Sequence, residues 1–223
     1  MGSLIRDALE RVEERIARAA VRAGRRRDQI TLIGVTKVMP ASRLGEAYQA
    51  GLRHFGENYV QEFAGKRAEL GEMPGAVFHM IGHLQSNKAR AAAELFDVIQ
   101  TVDSERLARR LDEAGKPLQV LIEVKLSGEE TKSGADERDV PALAEAVRRC
   151  GRLDLRGLMV MPPWSDDAEV SRPYFRRLRE LGERLEFVEL SMGMSHDFEV
   201  AIEEGATMIR VGTAIFGSRK ALA

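Results

Sequence analysis

Cysteine is nearly absent: the 223-residue chain holds one, Cys150. One thiol excludes an intramolecular disulfide and a multi-cysteine zinc site. It fits a reducing compartment, so a cytoplasmic protein is expected. Long apolar runs are also missing. No stretch of about 18 apolar residues occurs, so no membrane-spanning helix is expected. The N-terminal MGSLIRDALE lacks the apolar core of a signal peptide, and Arg6 stands where myristoylation prefers Ser or Thr. Net charge is small: 34 basic side chains against 35 acidic ones leave −1. That gives no global attraction to nucleic acid or to an anionic membrane. No strand candidate is followed by GxGxxG, and no linker or low-complexity segment divides the chain. With 44% hydrophobic and 31% charged residues, what remains is one globular domain, residues 1–223.

What is present is an alternation. Ile5, Leu9, Val12, Ile16 and Ala19 share one helical face, with Ser3 as a candidate N-cap and Gly24 as the stop. The Arg25–Arg26–Arg27 triplet that follows reads as a solvated helix end. Eight strand candidates come next: 31–37, 54–58, 77–82, 97–103, 118–126, 155–162, 187–193 and 208–217. Helical stretches separate them, at 42–50, 59–70, 87–94, 104–114, 139–150, 168–185 and 198–204. Gly51, Gly71, Gly115, Gly151 and Gly205 sit where a left-handed C-cap is wanted. Strands each followed by a helix imply parallel pairing. A count of eight favours a closed (β/α)8 TIM barrel with an extra N-terminal helix, an α/β fold, over an open doubly wound sheet. Residues 162–173 read as the most flexible loop.

In such a barrel the strand C-termini form the functional face. GVTKVMP ends the first strand on Lys37, which shares a face with Ile33 and Val35 and so lies over the mouth if those two point inward. An amine above an apolar floor has a lowered pKa and can attack a carbonyl; a snorkelling or salt-bridged lysine is the plainer alternative. Lys125 is a rival at another strand end, while Lys88 and Lys132 fall in loop or helix positions. In MIRVGT, Arg210 points inward if Ile209 and Val211 pack on helices. A carboxylate such as Glu57 or Glu123 would then neutralise it, or a ligand's ring nitrogen would accept from it. Gly193-Met194-Ser195 and Gly212-Thr213 follow the seventh and eighth strands, where barrels commonly hold phosphate. An aldehyde, a phosphate and a basic ring nitrogen together describe pyridoxal 5′-phosphate.

The segments ITLIGVTKVMP, HFGENYVQE, HMIGHLQSNKAR, ETKSG, LRGLMVMPP and LSMGMSHDFEVAIEEGATMIRVGTAIFG resemble the pyridoxal phosphate homeostasis protein family, in family order from about residue 30 to residue 218. The resemblance implies a single barrel related to the N-terminal domain of alanine racemase. It implies that Lys37 holds pyridoxal phosphate as an internal aldimine, that Arg210 faces the pyridine nitrogen, and that Ser195, Gly212 and Thr213 cradle the phosphate. Asn58 of FGEN falls near the cofactor in the same comparison. It implies a non-catalytic carrier or buffer of the cofactor in vitamin B6 and amino-acid balance, with apo-enzymes that use pyridoxal phosphate as recipients.

The alternative is a small amino-acid racemase. Two-sided proton transfer needs an acid/base on each face of the substrate. The barrel accounts for all 223 residues, and the only tyrosines are Tyr48, Tyr59 and Tyr174, so little turnover is expected. His54, His79 and His83 lack HExxH-type spacing and no metal site is expected. No chemistry attaches to His83 or His196. Lys132 in TKSG is a possible second attachment point, and a monomer is expected.

Overall fold

A computed structural model describes residues 4–127 and 133–217. Ser3 and Lys132 lie outside the described residues. The strands are β1 Thr31–Val35, β2 His54–Glu57, β3 Val77–Met80, β4 Val98–Val102, β5 Leu118–Lys125, β6 Ala135–Asp136, β7 Leu153–Met159, β8 Glu189–Ser191 and β9 Met208–Val211. The helices are α1 Leu4–Arg22, α2 Ala41–Gln49, α3 Val60–Glu69, α4 Ala89–Leu95, α5 Glu105–Asp112, α6 Val140–Arg148, α7 Arg172–Arg184, α8 Phe198–Glu203 and α9 Thr213–Phe216.

Among the described residues, eight strands pair in the order β4-β3-β2-β1-β9-β8-β7-β5, and β4 pairs with β5 to close the barrel. All these pairings are parallel. The two-residue β6, which the hydrophobic pattern does not announce, adds to the end of β5. The alternation along β1 sorts its side chains as expected. Leu32 joins the core between strands and helices, and Gly34 faces that layer, where a Cβ would lie 2.4 Å from Leu52 Cδ2. Ile33 faces the interior beside Gly56. Val98, Leu121 and Met159, with Val77, Met161 and Met208, form a separate small apolar cluster, and alternation along their strands sets it inside the barrel.

Several expectations need correcting. The run 208–217 is strand only to Val211; Thr213–Phe216 is helix α9. The first strand ends at Val35, two residues before Lys37. The stretch 168–185 divides into a 3-10 turn, Ala168–Ser171, and α7. Gly51, Gly115 and Gly205 take the left-handed conformation, but Gly71 and Gly151 do not; after α3 the chain leaves directly through an extended Leu70.

Helix α1 buries Ile5, Leu9, Val12, Ile16 and Ala19, as its spacing predicts. The arginines after it are not simply solvated. Arg25 donates to the carbonyls of Ile202 and Ala206 at 3.1 and 2.7 Å, tying the end of α1 to the turn that follows α8. Arg27 pairs with Glu13. Arg15 pairs with Glu199 and lies 4.4 Å over the Phe198 ring, which clamps α1 onto the barrel.

The β5–β7 register slips between Val120 and Leu121, where Leu155 and Gly157 are successive partners and Arg156 is the extra residue of a bulge. A Cβ on Gly157 would lie 1.8 Å from Glu189 O. Gly157→Ala is therefore expected to force β7 and β8 apart and cost about 2 kcal/mol or more, read as a fall in the urea midpoint. An unchanged midpoint would contradict this packing.

Candidate functional site

The chain leaves β1 through a tight turn. Thr36 N–H donates to Gly56 O at 3.0 Å, one residue beyond the strand, and Met39 N–H donates back to Thr36 O at 3.0 Å. Thr36 and Met39 are buried while Lys37 between them is half-buried. The turn delivers Lys37 to the rim of a cavity of about 280 Å³ at the strand C-termini, small for a ligand site. Lys37, Asn58, Ser195, Arg210, Gly212 and Thr213 all line it. The six residues singled out in the sequence thus meet on one pocket. Val35, Met39, Ile81 and Met161 supply apolar wall, and Trp164, 69% exposed, stands at the edge.

Arg210 alternates with Ile209 and Val211, which are buried in the outer core, so it points into the barrel and is 3% exposed. Neither carboxylate expected to neutralise it does so directly. Glu57 is on the outward face of β2: its Oε1 accepts from Thr36 Oγ1 at 2.7 Å and from Lys66 Nζ at 2.8 Å. Glu123 takes a hydrogen bond from Ser133 at 3.1 Å and acts on Arg210 only through space, as does Asp197. Arg210 instead donates to Ser191 Oγ at 2.7 Å and to Val160 O at 2.8 Å. Burial pulls its pKa down to about 10, with Asp197 and Glu123 opposing the fall, so it remains a cation at neutral pH.

Ser191 begins a buried chain. Its hydroxyl donates to Gln100 Oε1 at 2.7 Å. Gln100 Nε2 lies 3.0 Å from His79 Nδ1, and His79 Nε2 lies 3.0 Å from His54 Nδ1. A guanidinium only donates. With the Gln100 oxygen toward Ser191, its amide nitrogen makes His79 Nδ1 an acceptor, and the His79 proton sits on Nε2. The polarity then runs one way, from Arg210 to His54. The histidines that invited a metal reading are thus split: His54 and His79 are paired, and His83 stands 3.5 Å from Asp103.

The opposite wall is built from Gly193 onward. Gly193 has φ +93°, and a Cβ there would lie 2.6 Å from the Ala201 Cβ. Its carbonyl accepts from Arg210 N at 2.9 Å. Asp197, 1% exposed, accepts from Met194 N at 2.6 Å and so shapes the loop that presents Ser195. Ser195 Oγ receives the N–H groups of Gly212 and Ala214 at 3.1 and 3.3 Å, leaving its own proton to donate into the cavity. Gly82 makes room for Asn58, whose Oδ1 is buried without a hydrogen-bond partner. Donors at one wall, a buried guanidinium, an orphan amide oxygen and a lysine at the rim suit an anionic ligand with a ring acceptor and an electrophilic carbonyl.

Sequence reasoning attached no chemistry to His196, yet it lines the cavity, with its Nε2 buried 3.4 Å from Asp197 Oδ2 and its ring 6.1 Å from the Trp164 ring. The rival lysine, Lys125, pairs with Asp136 at 3.1 Å. Tyr59 is exposed at the start of α3, Tyr48 donates to Pro74 O, and neither lines the cavity. The Cys150 Sγ sits 3.6 Å from Ala146 O and burial raises its pKa, which makes it a poor nucleophile.

Residues 8–220 match the family model described as the N-terminal domain of alanine racemase. A curated protein of Pseudomonas aeruginosa named pyridoxal phosphate homeostasis protein is 48% identical over 223 aligned positions, and the alignment covers 97% of this chain and 96% of that one. A protein of the same name from Escherichia coli is 45% identical over 222 residues, 95% of each chain. Among solved structures, PipY of Synechococcus elongatus with PLP bound superposes with a TM-score of 0.80 at 41% identity, covering 92% of this chain and 100% of that one.

Burial, with His54 adjacent, pulls the His79 pKa from 6.5 to about 3. Between those values the unfolded chain binds the proton and the folded one does not, so stability is full above 6.5 and falls as pH drops. Urea unfolding at pH 7 and pH 5 is expected to show an acid loss smaller by about 2 kcal/mol in His79→Asn than in the unaltered protein. Parallel pH profiles would contradict a buried neutral His79.

Proposed function

The chain belongs to the family of the alanine racemase N-terminal domain, and on that premise we propose that it binds pyridoxal 5′-phosphate and carries or buffers it without substantial turnover. The observation that carries the reading is the convergence of Lys37, Asn58, Ser195, Arg210, Gly212 and Thr213 on one cavity. The names of the curated relatives and the PLP bound to PipY support it.

In this reading Lys37 would hold the cofactor, its amine being the group at the cavity rim that can react with an aldehyde. Ser195, its Oγ held by the Gly212 N–H, would donate its hydroxyl proton to the phosphate, beside the Thr213 side chain. Arg210 faces the pyridine nitrogen. A cation there keeps that nitrogen unprotonated, since two adjacent positive charges repel. When bound, the cofactor supplies an electrophilic carbon and an electron-withdrawing ring, and the arginine weakens that withdrawal. The arrangement suits holding the cofactor for apo-enzymes more than driving carbanion chemistry.

A racemase remains the second reading, and His196 is the observation in its favour. It lines the cavity with its Nε2 3.4 Å from the buried Asp197 carboxylate and would be the acid/base that complements Lys37. Sustained conversion of L- to D-alanine, lost in both Lys37→Ala and His196→Ala, would establish it.

An absorbance titration tests the carrier reading. Adding cofactor to the unaltered protein is expected to give a near-visible band that Lys37→Ala lacks. Ser195→Ala is expected to keep the band but weaken binding roughly tenfold, the loss of one charge-assisted hydrogen bond. No band in the unaltered protein with excess cofactor would sink the reading.

A further inference from the structure

We propose that Lys66 and Glu62, which do not line the cavity, are positioning residues for Lys37, holding its turn in a conformation that the backbone disfavours. The inference deepens the proposed function and rests on Lys37 being the attachment point. Val38, next to Lys37, has φ +62°. A β-branched residue in the left-handed region is a genuine outlier that persists only where its surroundings over-determine it. Val38 is 60% exposed, so its side chain gains little from packing. What holds it lies underneath.

Lys66, on the buried side of α3, is 7% exposed. Its ammonium has three N–H groups and three partners: Thr36 O at 2.7 Å, Glu57 Oε1 at 2.8 Å and Glu62 Oε1 at 2.5 Å. Each partner bears on the turn. Thr36 O is the acceptor that closes it onto Met39. Glu57 also receives the Thr36 hydroxyl at 2.7 Å. Glu62 receives the Val38 N–H at 2.6 Å. The two residues that flank Lys37 are therefore tied, on both sides, to carboxylates that one buried lysine bridges. The left-handed Val38 aims its N–H at Glu62, and relaxing it would break that bond. Burial pushes the Glu57 carboxyl upward while Lys66 and Thr36 pull it back, so without Lys66 it would tend to take up a proton and loosen its hold on Thr36.

A double-mutant cycle separates this role from plain stabilisation. Glu62→Ala removes the tether to Val38 without stranding a buried charge, and Lys66→Met removes its centre. Each is expected to weaken cofactor binding roughly tenfold, the cost of losing one left-handed residue. Glycine favours positive φ. Val38→Gly is therefore expected to restore most of the lost affinity in the Glu62→Ala background and to gain much less in the unaltered protein. In the cofactor-free protein, hydrogen exchange at the Val38 amide is expected to accelerate at least tenfold in both single variants. Unchanged affinity and exchange in Glu62→Ala would overturn the proposal. So would losses that track the melting temperature and that Val38→Gly fails to recover. If the unaltered chain takes up no cofactor, the functional reading fails, while Val38 exchange still tests the tether.

Discussion

Closing eight parallel strands into a barrel confines every inward side chain to one narrow volume, and the rest of the molecule follows from how that volume is filled. Apolar residues fill the small inner cluster around Val98, Leu121 and Met159. Gly56 and Gly157 leave room where larger side chains would collide. A cation, Arg210, occupies the same interior, and burying it unpaired would cost several kcal/mol. Among the described residues no carboxylate pairs with it directly. The barrel offers the Ser191 hydroxyl, the Val160 carbonyl and a chain of neutral dipoles through Gln100 and His79 to His54. Those dipoles align with the charge, and the distant Asp197 and Glu123 add to them. Arg210 is left solvated by the protein yet without a strong local counter-charge, a state suited to an acceptor arriving from the cavity.

A second ionic system sits outside the barrel wall and does a different job. Lys66 and Glu62 hydrogen-bond to the backbone of Thr36 and Val38, and Glu57 accepts the Thr36 hydroxyl, so together they hold the turn by which Lys37 leaves β1. One cation is thus poised toward the cavity and the other is fully engaged in holding a turn. Membership in the family of the alanine racemase N-terminal domain fits this division, and the relatives named for pyridoxal phosphate homeostasis match along nearly their whole length. Trp164 is large and exposed and lies on the cavity edge, so the cavity opens to solvent there.

Much of this was legible in the residues. Period-two alternation placed Ile33 and Arg210 inward and Ile209 and Val211 outward, and strand-end position brought Lys37 and the Ser195 and Gly212 loops to the same face. Other parts depend on information that local pattern does not hold. TAIF is as apolar as a strand, and only the geometry after Gly212 makes it α9. Glu57 appeared as a partner for Arg210, yet its place on the outward face gives it to Lys66, a residue of the next helix. The His54–His79–Gln100–Ser191 chain requires the register of several strands at once, and that register is set by closure and by a bulge. Val38 carries no sign of positive φ, because valine is among the last residues expected to adopt it.

The central claim is that the fold presents one particular amine to one ligand. Borohydride reduction of the cofactor-loaded protein, followed by peptide mass mapping, tests it most directly. The account predicts a single reduced adduct on the peptide that contains Lys37. An adduct on the Lys132 or Lys125 peptide instead, with Lys37 unmodified, would contradict it.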